Sequence, residues 1–368
     1  MKKGMMISDR YLIINILYDT DSKKIYEAYH LKLGIEVIIK KINLINKLDF
    51  SNEVSILKTI KHQYIPQIYD IINIEEDNYI IMEYIKGEDM NEILKKRKLS
   101  DEDIIRWTKQ ILIALEYMHN KSTPILHCDI KPSNIIINSD NDACLIDFNV
   151  SLILNGFANP RGFSKYFAAP EIVNYFLNAN RKIIEDNSYS ELNIEETLLL
   201  DEDNKRVNND KNRADIKYTY KSQLNSGSNN KIDMNVVDSR ADIYSIGALL
   251  YHMYTGKYYS ENSDFSELEK LNIDKRIINI MIKSLNYFKE KRYTEVKLIL
   301  DDLKKLWLKM QDIFQNVENT QNISVKTFYL FQQKRWIINH FWKPTYYFTR
   351  IHARLKKDLS IMQKILHN

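Results

Sequence analysis

The run LHCDIKPSNIII at residues 126–137, followed by LIDFN at 145–149, constrains this chain more than any other feature. It gathers two carboxylates, a lysine and an asparagine into one short loop and the strand end that follows. A site that moves a phosphoryl group needs a carboxylate to orient the attacking hydroxyl and cations to neutralise the moving charge. It also needs carboxylate or amide oxygens to hold a divalent metal. Asp129, at the head of the loop, suits the first task, Lys131 the second and Asn134 the third. Asp147 comes thirteen residues after Asn134, at the end of the strand-like run ACLID, where it can supply the other metal contact.

The bulk of the chain is compatible with such a site. Its 368 residues, 44% hydrophobic and 28% charged, suit a soluble globular protein with a substantial core. Cys128 and Cys144 are too few for a disulfide framework and are not spaced for zinc. The net charge of +4 is too slight to argue for nucleic acid. That average hides an asymmetry, because residues 326–368 carry nine Lys/Arg against the single acid Asp358, which leaves about −4 for the rest. No stretch approaches the roughly 18 apolar residues of a membrane span, and the N-terminal residues lack a small-residue cleavage site. The expected location is the cytosol.

Residues 11–85 are rich in strand-like runs (YLIINILY, IYEAYH, EVIIKKI, NYIIMEYI), with one helical window, LDFSNEVSILKTIKH, that places Val54, Leu57 and Ile60 at helical spacing. Beyond Gly87 the pattern turns helical. SDEDIIRWTKQILIALEYMHN opens on Ser100 and a cluster of acids, an N-cap signature. An Asn/Asp/Lys/Ser-rich segment over about 177–237 has little periodicity and suits a polar insertion. Apolar helical sequence resumes over 238–308.

Taken in order, these motifs resemble the eukaryotic-like Ser/Thr protein kinase family, with HCDIKPSN as catalytic loop and DFN as metal motif. The resemblance spans residues 10–308. It implies an α+β bilobal fold, with a small antiparallel β-sheet lobe carrying one helix (1–85) and a larger, mainly helical lobe (86–308). A linker (309–325) and a basic aromatic helical tail (326–368) follow. It also implies ATP as phosphoryl donor, Mg2+ or Mn2+ as metal, and a protein substrate bearing Ser or Thr, a preference that Lys131 favours over Tyr. By the same resemblance Asp129 is the base, Lys131 the γ-phosphate cation, and Asn134 and Asp147 the metal ligands. Lys40 of VIIK anchors phosphate, Glu53 of NEVSIL pairs with it, and Ser164 bridges base and lysine. Met82 is the gatekeeper, the Glu83 and Ile85 backbones face adenine, Asp89 meets ribose, and Leu17, Ile25, Ile38 and Ile136 enclose the nucleotide. Glu171 of AAPE is expected to pair with Arg292, and Asp242 to brace the catalytic loop. Leu57, Ile68, His127 and Phe148 form an apolar spine.

The sequence departs from the family at the phosphate loop, where Tyr18, Thr20 and Lys23 replace three glycines, and at Ile38, which replaces a small alanine. Glycine lets backbone amides approach phosphates without a Cβ in the way. The second reading is therefore a pseudokinase scaffold with weak or no ATP turnover. Asn149 replaces the glycine of the metal motif and suits left-handed backbone next best after glycine. Cys128 replaces the arginine that receives a phosphorylated loop residue in many relatives. Ser151, Ser164 and Tyr166 are the only hydroxyls between Asp147 and Glu171. These two features predict activity without loop phosphorylation.

In the tail, Tyr347, Ile351, Leu355, Leu359, Met362 and Leu366 form a helical stripe among basic residues. It suits docking on the large lobe, a homodimer contact, or an anionic membrane surface that would make the protein peripheral there. Nucleic acid is the least favoured partner.

Overall fold

The computed structural model describes residues 1–20, 24–42, 47–74, 77–154, 160–176, 237–260, 262–271 and 273–305. The insertion expected over 177–237, apart from Val237, and the linker and basic tail expected over 309–368 lie outside the described residues.

The N-terminal part is one antiparallel sheet of order β1-β2-β3-β4-β6-β5. Its strands are β1 (Met6–Ile7), β2 (Tyr11–Asp19), β3 (Lys24–His30), β4 (Ile35–Ile42), β5 (Ile68–Ile74) and β6 (Asp77–Glu83). Period-two alternation sorts their side chains. Tyr11, Ile13, Tyr26, Ala28, Val37, Ile39, Tyr79 and Ile81 share one buried cluster on one face. Each large apolar side chain so buried stabilises the fold by roughly 1.5–3 kcal/mol, so the sheet holds without help from its hairpin tips. Ile25, Ile38 and Lys40 alternate with these residues and therefore face the other way.

Helix α1 (Lys47–Thr59) packs against that second face. Its Val54, Ile56 and Leu57, with Ile60 just beyond, join Ile80 of the sheet and Ala114, Met118, Ile125 and Phe148 of the following region in a single cluster. One apolar core thus runs through both lobes. Strand β5, IYDIINI, is an addition to the strands expected from sequence; its Tyr69, Asp70 and Asn73 blur the alternation.

The second lobe opens with β7 (Gly87–Asp89), α2 (Met90–Lys96) and α3 (Asp101–His119). Ser100 caps α3 as expected, its Oγ accepting from the Asp103 amide at 3.1 Å. Trp107 of α3 is fully buried. Strands β8 (Ile125–Leu126), β9 (Ile135–Asn138), β10 (Ala143–Leu145) and β11 (Leu152–Ile153) form two small sheets, with β9 between β7 and β10 and β11 paired to β8. Gly87 is required there, because a Cβ would stand 2.1 Å from the Ile137 carbonyl oxygen. Residues 170–176 are helical. Helix α4 (Arg240–Thr255) is buried at every residue from Ala241 to Met253, as a central helix must be when apolar all round. Short α5 (Ser266–Lys270) and α6 (Lys275–Ser284) follow, and α6 packs on α4. This is the bilobal α+β arrangement expected from the sequence. No helix among the described residues is long and apolar enough to cross a membrane.

Candidate functional site

The site lies where the two lobes meet, and Lys40 joins them. Its Nζ donates to Glu53 Oε1 of α1 at 2.8 Å and to Asp147 Oδ1 of the second lobe at 2.9 Å. A third bond goes to Asn149 Oδ1 at 3.1 Å. Burial alone would pull the Lys40 ammonium down, but the Asp147 and Glu53 carboxylates outweigh it and hold the group above its ordinary value. Lys40 therefore stays charged at neutral pH.

The loop that carries His127, Asp129, Lys131 and Asn134 is braced from beneath by Asp242 of α4, which is fully buried. Its Oδ2 accepts from the His127 amide at 2.9 Å and its Oδ1 from the Cys128 amide at 2.8 Å. His119 Nε2 is also 2.9 Å from Oδ2. Burial pushes the Asp242 carboxyl up, but the His119 bond and the charges around it keep it below the usual carboxylate range. The brace matters because Cys128 and Asp147 both hold left-handed backbone, at φ 63° and 65°. Non-glycine residues are strained there and persist only where surroundings over-determine them.

His127 is neutral, because burial lowers its pKa. Its Nδ1 accepts from the Asp129 amide at 3.3 Å, which leaves the proton on Nε2 to donate to the Ile146 carbonyl at 3.1 Å. The ring meets Phe148 edge-on with centroids 5.0 Å apart. Leu57 and Phe148 share the interlobe cluster, and Ile68 packs against it. The expected spine residues therefore lie together, with Asp242 at their foot.

Above this base, the polar side chains converge. Ser164 Oγ donates to Asp129 Oδ1 at 2.5 Å and accepts from Lys131 Nζ at 2.8 Å. Lys131 Nζ stands 3.3 Å from Asp129 Oδ2. Asn134 Nδ2 donates to the Asp129 carbonyl and to Asp129 Oδ2, both at 2.8 Å. With its amide nitrogen so engaged, the oxygen is the Asn134 atom suited to a cation. Asp147 and Asn134 thus offer hard oxygen donors of the kind magnesium and manganese take. Among the described residues no cluster of three or more His, Cys, Asp or Glu is placed to hold a metal ion.

The residues expected around the nucleotide lie on β2, β3, β4, β6, β7 and β9 and in the segment joining β6 to β7. Ile25, Ile38, Met82, Glu83, Ile85, Asp89 and Ile136 are all half-buried. Ile38 pairs with Met82, and Ile136 with Asp89. Asp89 also caps α2, accepting from the Glu92 amide at 3.0 Å. Leu17 and Tyr18 are more open, at 41% and 49% exposure. The hairpin stays paired to Tyr18–Ile25 and Asp19–Lys24, and Lys24 lies 3.8 Å from Asp19. Residues 21–23, including Lys23, lie outside the described residues.

The structure places Asn149 differently from expectation. Asn149 does not adopt left-handed backbone; Asp147, two residues earlier, does. Tolerance of that conformation therefore does not explain the asparagine. Its contact with Lys40 was not foreseen from sequence, nor was His119 as a partner of Asp242. Cys128 is 2% exposed, and burial pushes its thiol well up, which suits an apolar filler. Ser151 and Ser164 are buried, and Ser151 Oγ donates to the His127 carbonyl at 3.1 Å. Of the three loop hydroxyl residues only Tyr166 is exposed. Glu171 and Arg292 form a buried bidentate pair at 2.7 and 2.8 Å.

Residues 21–188 match the family described as protein kinase domain. The chain is similar to the carbon catabolite-derepressing protein kinase of Candida glabrata, 29% identical over 47% of this chain and 29% of that one. It is similar to the SNF1-like protein kinase ssp2 of Schizosaccharomyces pombe, 30% identical over 47% of this chain and 31% of that one. CBL-interacting serine/threonine-protein kinase 20 of Arabidopsis thaliana is 24% identical over 47% of this chain and 41% of its own. The matches thus span under half the length of these relatives. These matches, together with the interlobe geometry, support the protein-kinase superfamily for this chain.

Proposed function

We propose that this chain is an ATP-dependent protein kinase that transfers the γ-phosphate to Ser or Thr hydroxyls of a protein substrate. The observation that carries this reading is the continuous polar chain Lys131–Ser164–Asp129–Asn134 beside the Lys40–Glu53–Asp147 pair. Folding alone requires none of these groups to converge, and burying them without function would cost stability.

In this reading Asp129 accepts a hydrogen bond from the substrate hydroxyl and orients its oxygen for in-line attack. Ser164 and Asn134 fix the Asp129 carboxylate, so its position is set before substrate arrives. Lys131 places its charge beside the transferring group, and Lys40 does the same for the polyphosphate. Asn134 and Asp147 would hold Mg2+ or Mn2+, which when bound neutralises charge on the phosphates. Ile38, Met82 and Ile136 enclose the adenine, the Glu83 and Ile85 backbones meet its edge, and Asp89 faces the ribose. Because the loop serines Ser151 and Ser164 are buried and Cys128 replaces the phosphate-receiving arginine, activity needs no phosphate on residues 147–171. The tail at 326–368 keeps its readings of docking on protein, on an anionic membrane surface or, least favoured, on nucleic acid. Liposome co-sedimentation against a chain ending at residue 325 separates the membrane reading from docking on protein.

The test is transfer of labelled γ-phosphate from ATP to a mixed protein substrate, with magnesium or manganese, followed by phosphoamino-acid analysis. Labelled phosphoserine or phosphothreonine that disappears in Asp147→Ala is the expected result. Absence of transfer with either metal overturns the reading and favours the scaffold.

A further inference from the structure

We infer that Asn149 is a nucleotide-binding residue, whose side-chain amide donates a hydrogen bond to the polyphosphate of the bound nucleotide. The inference rests on reading the site as one that holds ATP.

Four observations lead there. Asn149 Oδ1 accepts from Lys40 Nζ at 3.1 Å, so the amide oxygen is the atom turned toward the ammonium. An amide whose oxygen faces a cation must turn its NH2 group elsewhere, because two donors cannot share a bond. Asn149 is exposed, although Asp147, Phe148 and Val150 around it are half-buried or buried. Among the described residues, Lys40 is its hydrogen-bond partner, and the NH2 group has none. Finally, its backbone is not left-handed, so conformation does not account for asparagine at this position.

The same chain lacks what usually meets the phosphates, since Tyr18, Thr20 and Lys23 stand at the glycine positions of the loop. A Cβ at these positions keeps backbone amides from close approach. The NH2 of Asn149 is a neutral donor held beside Lys40, the residue whose ammonium meets the same polyphosphate. It restores from below one of the donors lost from above. The position suits a group with several anionic oxygens, and a bare nucleoside has nothing to offer it.

The full-length chain is titrated with ATP, ADP and adenosine by calorimetry at saturating manganese, so that a change in metal affinity does not enter. Asn149→Ala fits the observed backbone without strain, and an unchanged Tm confirms its fold. Loss of a hydrogen bond to a charged group predicts that Asn149→Ala binds ATP and ADP roughly tenfold or more weakly, with adenosine unchanged. Asn149→Asp separates the two roles the residue could have. It keeps an acceptor for Lys40 but removes the donor and sets a negative charge against the phosphates. It is expected to bind ATP more weakly than Asn149→Ala does.

Equal ATP affinity in wild type and Asn149→Ala overturns the assignment while leaving the kinase reading intact. So does Asn149→Asp that matches or exceeds wild type, since the residue would then serve only to hold Lys40. Wild type that fails to bind ATP at saturating manganese overturns both.

Discussion

The floor and the roof of the site are built to different standards. The floor consists of His127, Asp129, Lys131, Asn134 and Ser164, each at most 7% exposed and each tied to a neighbour by a hydrogen bond. Beneath it, Asp242 holds two backbone amides of the loop. The roof is the β2–β3 hairpin, where Leu17 and Tyr18 are more than two-fifths exposed and no glycine remains in the loop. Position of the candidate catalytic groups is thus fixed by buried polar contacts, whereas the proposed nucleotide cover is a strand pair that leaves Leu17 and Tyr18 open to solvent. The difference teaches that transfer chemistry and nucleotide grip are separable here. Variants in the floor should change kcat or stability, and variants in the roof should change the ATP requirement.

The largest effect is expected from breaking the brace. Asp242→Ala leaves the His127 and Cys128 amides without their buried acceptor, and unfolding in urea should show a loss of about 3–5 kcal/mol, the cost of breaking a buried charged network. A loss under about 1 kcal/mol would mean that the floor is not held from beneath. Next comes Ser164→Ala, which removes the link between Lys131 and Asp129. Steady-state kinetics should show kcat lower by about 10- to 100-fold, from two bonds to charged groups, with little change in the KM for ATP. Ser164→Thr should restore most of the rate. A change confined to the ATP KM would contradict the division between floor and roof.

A smaller effect is expected at the roof. Restoring glycine at Tyr18, Thr20 and Lys23 together should lower the ATP KM several-fold, on the order of 1 kcal/mol, because backbone amides regain access to the phosphates. The rate at saturating ATP should move little. No change in KM would show that the loop does not limit nucleotide grip.

The smallest effect concerns pH. Burial lowers the pKa of His62, His127 and His252 in the folded protein. A histidine with a depressed folded pKa binds fewer protons folded than unfolded, so unfolding free energy rises with pH in that window. The stability is present above the unfolded value near 6.5 and is lost as pH falls below it. Unfolding curves at pH 7 and pH 5.5 check the sign. His127→Phe should flatten the slope, since that ring also loses its proton-linked contact.

Much of this architecture was legible in the sequence because the floor is local. Asp129, Lys131 and Asn134 lie within one loop, so their spacing alone puts them together. The strand runs and the Ser100 cap were legible for the same reason, being period-two patterns and a local hydrogen bond. Strand β5 was not, because Asp70 and Asn73 interrupt its alternation and its identity comes from pairing with β6. His119 meets Asp242 across 123 positions of sequence, and nothing near either residue signals the contact. Asn149 was visible as a departure, but its meaning was not. Asparagine tolerates left-handed backbone, and only the structure shows that Asp147 takes that conformation instead.

The central claim is that Asp129 orients an attacking hydroxyl in a site that transfers phosphate. The most direct test is Asp129→Asn, which keeps the side chain's shape and one oxygen but removes the base. Initial rates of labelled γ-phosphate transfer are measured beside ATP affinity for wild type and variant. The account predicts measurable transfer by wild type and a fall of about 100-fold or more in kcat, the usual contribution of a positioned base, with ATP affinity little changed. Equal rates in wild type and Asp129→Asn would contradict it.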